Sequence, residues 1–317
     1  ARYPWHEFHG TDALNDHLDA CYARAARLLL EGRFDVVHNN ALHRYLPRLS
    51  RAERLPMVTS LHIPPFKVLR GALMDGAAPW HLSSVVSARQ RGIWWPEGAP
   101  ETAHVVHNGI YLSEWPQGGP GDGSAVWAGR ITPTKGTHLA AEAAQIAGVP
   151  LRIYGVVEHQ DYLNDMVRPH LYDDVAYVGH LDTEALGRAY GRASVALFTP
   201  QWEEPFGLAA VEAMATGLPV AATPHGAVEE VLGEAGVIAV GDSPVGLAEA
   251  LRQALAIPAE VPRARVARLF DAQAMVTKFE RLYHAALAQG DVAVPHRTYP
   301  AIALHVEGAD RPLAEAG

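Results

Sequence analysis

Two constellations in the sequence have residue types and spacings suited to a phosphorylated, hydroxyl-rich ligand. The first is Trp127-Ala-Gly-Arg-Ile-Thr-Pro-Thr-Lys-Gly136, which comes directly off an apolar run and opens a helical pattern. Gly129 lets the backbone turn tightly at a strand's carboxyl end, where open α/β sheets bind ligands. Arg130 and Lys135 then stand at the mouth of the crevice. A guanidinium fork and an ammonium point charge together can hold a diphosphate; two solvated cations on a loop are the alternative. The second constellation is Glu204-Pro-Phe-Gly-Leu-Ala-Ala-Val-Glu212, behind the apolar run Val195–Pro200. Pro205 and Gly207 fit a loop entering a helix that runs through Met214 to Gly217, with Glu204 just before it and Glu212 inside it. Eight helical residues rise about 12 Å, which suits two carboxylates gripping hydroxyls at opposite ends of a nucleotide-sugar. The amides of Phe206, Gly207 and Leu208 point out of the helix start, where polar oxygens are welcome. Glutamates eight apart are common by chance, so the signal is their combination with Pro, Phe and Gly behind a strand. In a third segment, Thr223-Pro-His-Gly-Ala-Val-Glu-Glu230, a glycine entering a helix (Gly226) and a solvated Glu229 or Glu230 account for the pattern.

Such residues need a scaffold, and the periodicities supply one. From Thr11 to Gly32 the residues Leu14, Leu18, Cys21, Tyr22, Ala25, Leu28 and Leu29 recur at helical spacing, with Thr11 or Asp12 to cap and Gly32 to stop. The short apolar runs Phe34–His38, Met57–His62, Leu82–Val86 and Val105–Val106 read as buried strands, with a helix at Ser87–Ile93. Ser113–Ser124 is rich in Gly and Pro and reads as a linker. Beyond it, strands begin near Ala125, Leu151, Val175, Val195, Pro219 and Gly236, alternating with helices such as Thr137–Ala147 and Ala185–Ala193. Asp271–Ala288 is a further amphipathic helix. This alternation implies βαβ units in a doubly wound parallel sheet. The expected domains are a partial N-terminal Rossmann-like unit over residues 1–112, a linker over 113–124, a complete C-terminal Rossmann-like unit over 125–288 and a loose tail over 289–317. The opening segment 1–10 reads as a loop. A full first unit would need roughly two more βα pairs of about 30 residues each.

The composition is that of a globular chain: 317 residues, 49% hydrophobic and 19% charged, which excludes disordered, collagen-like and coiled-coil classes. No run of about 18 uncharged apolar residues exists to form a spanning helix. The net charge of −9 argues against a general nucleic-acid partner, so an anionic ligand must be held by a local device. Three lysines (Lys67, Lys135, Lys278) stand beside 23 arginines, so arginine abundance carries little weight and position carries more. Cys21, the one cysteine, cannot form an internal disulfide, and no Cys/His array has zinc spacing. A cytoplasmic location, at most peripheral to a membrane, is the expectation.

Taken together, Gly-Arg-x4-Lys-Gly (129–136), Tyr-x-Gly (177–179) and Glu-Pro-Phe-Gly-Leu-x3-Glu (204–212) resemble the retaining glycosyltransferases of family four (group 1), which have the GT-B fold. Gly217-Leu-Pro-Val220 and Thr223-Pro-His-Gly226 match too, and the resemblance runs to about Leu287. It implies two Rossmann-like domains facing a cleft, with the donor nucleotide mainly on the C-terminal one. By position, Gly129, Arg130 and Lys135 meet the donor diphosphate, and Glu212 holds the ribose. Glu204 contacts the donor sugar, as do the amides of Phe206, Gly207 and Leu208, and the base lies near Tyr177, Gly179 and His180. His62, in Thr59-Ser-Leu-His-Ile63, matches a histidine near the reacting sugar, so His62, Arg130, Lys135 and Glu204 are the expected catalytic set. His38 matches a position lining the acceptor side. Arg44, with Arg48, Arg51 and Arg54, could meet an anionic acceptor or lipid surface, or form a solvated face. Asn108-Gly109 matches the family's hinge, with Tyr111 in place of the usual acidic residue. The family's first strand and glycine-rich loop have no counterpart before Ala1, so the first domain is expected to be truncated at its N-terminus.

The resemblance implies transfer of a hexose from a nucleoside diphosphate sugar, UDP-sugar foremost, to an acceptor hydroxyl with retained anomeric configuration. The acceptor class stays open between a small molecule, a polysaccharide and a lipid-linked sugar. No Asp-x-Asp metal motif lies near the donor residues, so no metal and no cofactor are expected, the protein's own cations neutralising the leaving diphosphate. Two other readings share the architecture: a sugar-nucleotide epimerase, which needs an acid/base pair at the sugar, and a nucleotide-sugar-binding module without turnover.

Overall fold

The structure, a computed structural model, describes residues 11–32, 34–172 and 174–290. The opening segment 1–10 and all but the first two residues of the expected tail lie outside the described residues. Two parallel sheets organise the chain. The first holds β1 (Val37–Asn39), β2 (Met57–Leu61), β3 (His81–Val85) and β4 (Ala103–Val105) in sequential order. The second contains β5 (Ala125–Ala128), β6 (Leu151–Tyr154), β7 (Val175–Gly179), β8 (Val195–Phe198), β9 (Val220–Ala222) and β10 (Gly236–Ile238), in the order β10-β9-β8-β5-β6-β7. β2, β3 and β8 are buried at every residue; β8 is the apolar strand that a sheet covered on both faces favours, whereas β2 and β3 bury polar side chains that pair across the strands, Thr59 with His81 and Ser60 with Ser84. Each of the ten strands among the described residues overlaps an expected run, with bounds shifted by up to three residues at β1 and two at β4.

The helices follow their signals with instructive exceptions. The Thr11 hydroxyl accepts from the Leu14 amide at 3.2 Å and caps the helix Asp12–Glu31, which Gly32 closes. Its inward stripe keeps only part of the expected set: Tyr22 and Leu29 pack beside the buried Ala23 and Ala26, whereas Leu18, Cys21 and Leu28 face solvent. Two apolar stripes lie side by side on this helix, and packing against the helix Tyr45–Ala52 selects one. The helix Thr137–Ala147 has the expected bounds, and Thr183–Tyr190, capped by Asp182, stands for Ala185–Ala193. Tyr45–Ala52, Lys67–Asp75, Pro244–Ala254 and Glu260–Leu269 are helices that the sequence pattern leaves unmarked.

Two domain boundaries differ from expectation. The helix Ala272–Gln289, capped by Asp271, belongs with the first sheet rather than with residues 125–270. Met275, Phe279, Leu282, Tyr283 and Ala286 pack on Val58, Leu82 and Val106. Its apolar stripe needs a cover that the filled faces of the second sheet do not offer. The segment 113–124 is not the passage between sheets either, because it lies on the second domain. Trp115 packs on Tyr190, the Gly118 amide donates to the Thr216 carbonyl at 2.8 Å, and the Asp122 amide donates to the Arg192 carbonyl at 2.9 Å. The chain crosses at 109–111 and returns at 270–272, and the two crossings pair. The Ile110 amide donates to Phe270 at 2.9 Å and the Ala272 amide to Ile110 at 3.0 Å. Gly109 is required there, since a Cβ would come within 2.7 Å of the Ala272 Cα. Among the described residues no helix is long and apolar enough to cross a membrane.

Candidate active site

β5 and β8 are neighbours, yet the chain runs from β5 outward to β6 and β7 on one side and from β8 to β9 and β10 on the other. This reversal of strand order opens a crevice at the carboxyl ends, and the loops that carry both constellations meet there. Thr199, buried at the end of β8, stitches them together. Its hydroxyl accepts from the Trp127 indole at 2.9 Å and donates to the Lys135 carbonyl at 2.8 Å. The Gln201 amide donates to the Thr134 carbonyl at 2.8 Å.

Glu204 is 8% exposed, and its Oε2 accepts from both the Lys135 ammonium at 2.6 Å and the Trp202 indole at 2.8 Å. Lys135 also lies over the Trp202 ring, 5.5 Å from its centroid. No hydrogen bond among the described residues occupies Oε1. The third segment holds this loop from behind. The Ala227 amide donates to the Glu204 carbonyl at 2.9 Å, and Gly226, at φ 70°, passes so close that a Cβ would lie 2.3 Å from the Glu204 nitrogen. We expect Gly226→Ala to cost more than ~2 kcal/mol through left-handed strain plus a backbone clash. Urea unfolding checks this: a variant as stable as the parent removes Gly226 from the support of Glu204.

Of the two glutamates expected to include a solvated one, Glu229 is exposed, whereas Glu230 is only partly exposed and held by partners. Its carboxylate lies 2.7 Å from His107 Nε2 and accepts from the amides of Ala88 and Arg89 at 2.9 and 3.1 Å. Burial pushes its pKa up, but these hydrogen bonds outweigh burial and hold it below the usual carboxylate value.

The helix Leu208–Ala215 begins at Gly207, whose φ of 99° turns the chain into it. Residues 204–207 therefore form a loop, and the 12 Å rise expected for a continuous helix between the two glutamates does not apply. Glu212 lines a cavity of about 230 Å³ together with Gly129, Arg130, Gly155 and His180. A second cavity of about 410 Å³ shares His180, Leu181, Leu186 and Glu212 and extends to Tyr111 and Glu114. Burial pushes the Glu212 pKa up to about 7. Arg130 is exposed and paired with Glu158, Nη1 to Oε2, at 2.9 Å. A diphosphate would compete with that carboxylate for the guanidinium.

Of the segment 177–180, His180 lines both cavities, and Tyr177 and Gly179 brace the lining residue Gly155 from behind. The Tyr177 hydroxyl donates to the Gly155 carbonyl at 2.9 Å, and the Gly155 amide donates to the Gly179 carbonyl at 2.9 Å. Phe206 is buried in an aromatic group with His107 and Phe270 at the domain crossing, with ring centroids 6.0 and 5.3 Å away. The Phe206 side chain is thus structural, whereas Leu208 is exposed.

On the first domain, His62 follows β2, is exposed, and lies 3.2 Å from Asn40 Oδ1 through Nε2. The protein mass around it holds its pKa below the ordinary imidazole value. Among the described residues no hydrogen bond or ion pair joins His62 to Lys135, Glu204 or Glu212. Both ring nitrogens of His38 are taken, Nδ1 by the Tyr283 hydroxyl at 2.7 Å and Nε2 by Ser60 Oγ at 2.8 Å. His38 ties the last helix to the first sheet. Burial, with His62 adding, lowers its pKa. Arg44 pairs with Asp19, Arg48 with Asp75 at 2.7 Å, and Arg51 donates to the Ala77 carbonyl. Arg54 stacks 4.5 Å over the Trp80 ring. The arginine row is engaged within the domain rather than forming a free basic face.

Sequence reasoning overlooks Trp202, Glu158, His107 and Arg89. Trp202 stands two residues before Glu204 and could have been noticed; the other three become visible only once the sheets are placed. Among the described residues no group of three or more His, Cys, Asp or Glu is arranged to hold a metal ion.

Residues 120–268 match the family described as Glycosyl transferases group 1. The chain is 35% identical over 200 residues to a glycogen synthase of Mycobacterium tuberculosis (strain CDC 1551 / Oshkosh), covering 57% of this chain and 48% of that protein. It thus spans about half the length of that relative. It is 28% identical over 312 residues to a phosphatidyl-myo-inositol mannosyltransferase of Mycobacterium leprae (strain TN), covering 89% of this chain and 82% of the relative. Among solved structures, Anabaena Alr3699/HepE in complex with UDP superposes with a TM-score of 0.71 at 21% identity, over 84% of this chain and 82% of the other. A likeness at that identity speaks for the fold.

Proposed function

Because residues 120–268 form a group 1 glycosyltransferase domain and the chain has the GT-B fold, we propose that it transfers a hexose from a UDP-sugar to an acceptor hydroxyl. The observation that carries this reading is the crevice between β5 and β8. It gathers a cation pair, a buried carboxylate with one free oxygen and a second carboxylate in a cavity, the set that a nucleoside diphosphate sugar requires. Glu212 accepts from the ribose hydroxyls, and Glu204 Oε1 accepts from a hydroxyl of the sugar. Arg130, released from Glu158, and Lys135 neutralise the charge growing on the leaving diphosphate, where fixed cations in a dry cleft are most effective. Transfer proceeds with retention by front-face attack and without a metal ion. His62, on the facing domain, lies beside the reacting sugar and the acceptor. UDP is favoured because the solved relative above binds it. The acceptor is a small molecule, a polysaccharide or a lipid-linked sugar, met on the first domain, and the protein works in the cytoplasm or at a membrane surface.

The test is thermal and urea stability against UDP, GDP, ADP and TDP and their sugar conjugates. A nucleotide at 100 times its Kd adds about 2.7 kcal/mol. We expect UDP-sugars to stabilise the chain, Arg130→Ala to remove the effect, and EDTA to leave binding and turnover unchanged. Stabilisation by none of the four nucleotides overturns the reading, and loss of turnover in EDTA that is restored by a divalent cation overturns metal independence.

A further inference from the structure

We propose that Arg89, on the first domain, is a positioning residue for the donor site, acting across the cleft on Glu204 through Glu203. The kinetic half of this inference rests on the glycosyl-transfer reading above; the structural half does not. Arg89 lies in the first turn of the helix Ala88–Trp94. Its guanidinium makes paired hydrogen bonds to Glu203, Nε to Oε2 at 3.0 Å and Nη2 to Oε1 at 2.7 Å. A bidentate fork fixes orientation as well as distance. Glu203 sits within a tight turn in which the Glu204 amide donates to the Trp202 carbonyl at 2.7 Å. Movement of the Glu203 side chain therefore turns the peptide that carries Glu204.

The same helix start is gripped at a second point. The amides of Ala88 and Arg89, donors that a helix leaves over at its first turn, bind the Glu230 carboxylate. Glu230 lies one turn beyond Ala227, whose amide holds the Glu204 carbonyl. The second domain thus grasps the first at two places, and each grip sits on backbone that shapes the Glu204 loop. Both side chains of the Arg89–Glu203 pair are half exposed, at 54% and 43%, and such a pair adds little to stability. Its loss therefore leaves the fold intact while removing the link. When the first domain swings away, Glu203 is released and the Trp202–Glu204 turn loses its brace from the other domain, while Lys135 and Trp202 alone keep hold of Glu204 Oε2. Donor cleavage then waits until the acceptor-bearing domain is in place, which favours transfer over hydrolysis.

The test compares Arg89→Ala, Glu203→Ala and the reversed pair Arg89→Glu/Glu203→Arg in the full chain. Each single variant is expected to lower kcat about fivefold with donor KM changed less than about twofold, and the reversed pair to recover most of the loss. Single variants with parental kcat, or a reversed pair no better than either single, overturn the proposal. A second readout needs no turnover: spin labels on Glu53→Cys and Glu249→Cys, with Cys21→Ser, report the distance between domains. Arg89→Ala is expected to shift that distribution to longer distances, and an unchanged distribution overturns the interdomain role. A parent chain without turnover on any nucleotide sugar would defeat the transfer reading, and the label distances would still decide the role of Arg89.

Discussion

Replacing Glu212 by glutamine is expected to raise stability at pH 8 by about 3 kcal/mol while abolishing nucleotide binding. Burial lifts the Glu212 pKa from 4.5 to about 7. Below pH 4.5 the carboxyl is protonated in folded and unfolded chains alike, and nothing is lost. Between 4.5 and 7 the unfolded chain has released the proton and the folded chain has not, so stability falls as pH rises. Above 7 the folded chain carries the anion, and the full cost is present. Glutamine resembles the protonated form, so the variant should match the parent near pH 4 and exceed it at pH 8. The same titration sets the ligand response: an ionised Glu212 accepts two ribose hydroxyls better than a protonated one, so affinity for UDP should increase from pH 6 to pH 8. Urea unfolding at pH 4, 6 and 8, with calorimetric titration of UDP, tests both halves. A variant no more stable than the parent at pH 8 shows that the Glu212 anion is well solvated, and a variant that binds UDP normally removes Glu212 from the donor site.

Lys135→Ala should produce the second large effect. Lys135 and Glu204 form a buried pair, with side chains 19% and 9% exposed, and removing one member of such a pair costs about 3–5 kcal/mol because the other charge is left alone. The Trp202 indole still reaches Glu204 Oε2 and offsets part of this, so about 3 kcal/mol is expected. If Lys135 also neutralises the leaving diphosphate, kcat falls at least ~100-fold, the magnitude seen when one preorganised electrostatic donor is removed. The double variant Lys135→Met/Glu204→Gln separates the two roles, because it removes both charges while keeping their volume. Stability should return and activity should not. A double variant that regains turnover would show that Lys135 serves the fold alone.

The candidate crevice at the ends of β5 and β8 was largely legible in the order of residues. Glycine and proline punctuate the ends of β5 and β8, and parallel strands buried on both faces must be short apolar runs, so the alternation and the two constellations could be located from local pattern. The elements that escaped notice have physical reasons. The helices Tyr45–Ala52 and Glu260–Leu269 each contain a proline, which breaks the local pattern, and both are stabilised mainly by what they pack on. The arginines 44 to 54 read as a possible basic face because charge is visible in sequence while its partners are not: Asp19 and Asp75 neutralise two of them from other elements. His38 fits a cleft position equally well by type, yet Tyr283, far along the chain, takes its Nδ1.

Sequence alone determined the strand–helix alternation, a cap at the start of the first helix, and the placing of Arg130, Lys135 and Glu204 in loops behind strands with Glu212 inside the helix that follows, because each depends on neighbours a few residues away. Tertiary structure decided the pairings. β5 beside β8 brings Lys135 to Glu204, the crossing at 109–111 and 270–272 returns the last helix to the first sheet, and Glu203 and Glu230 meet the helix that begins at Ala88. These contacts join residues 69 to 162 positions apart. The free energy that selects them comes from burying whole faces and pairing charges between elements, and no local periodicity records it.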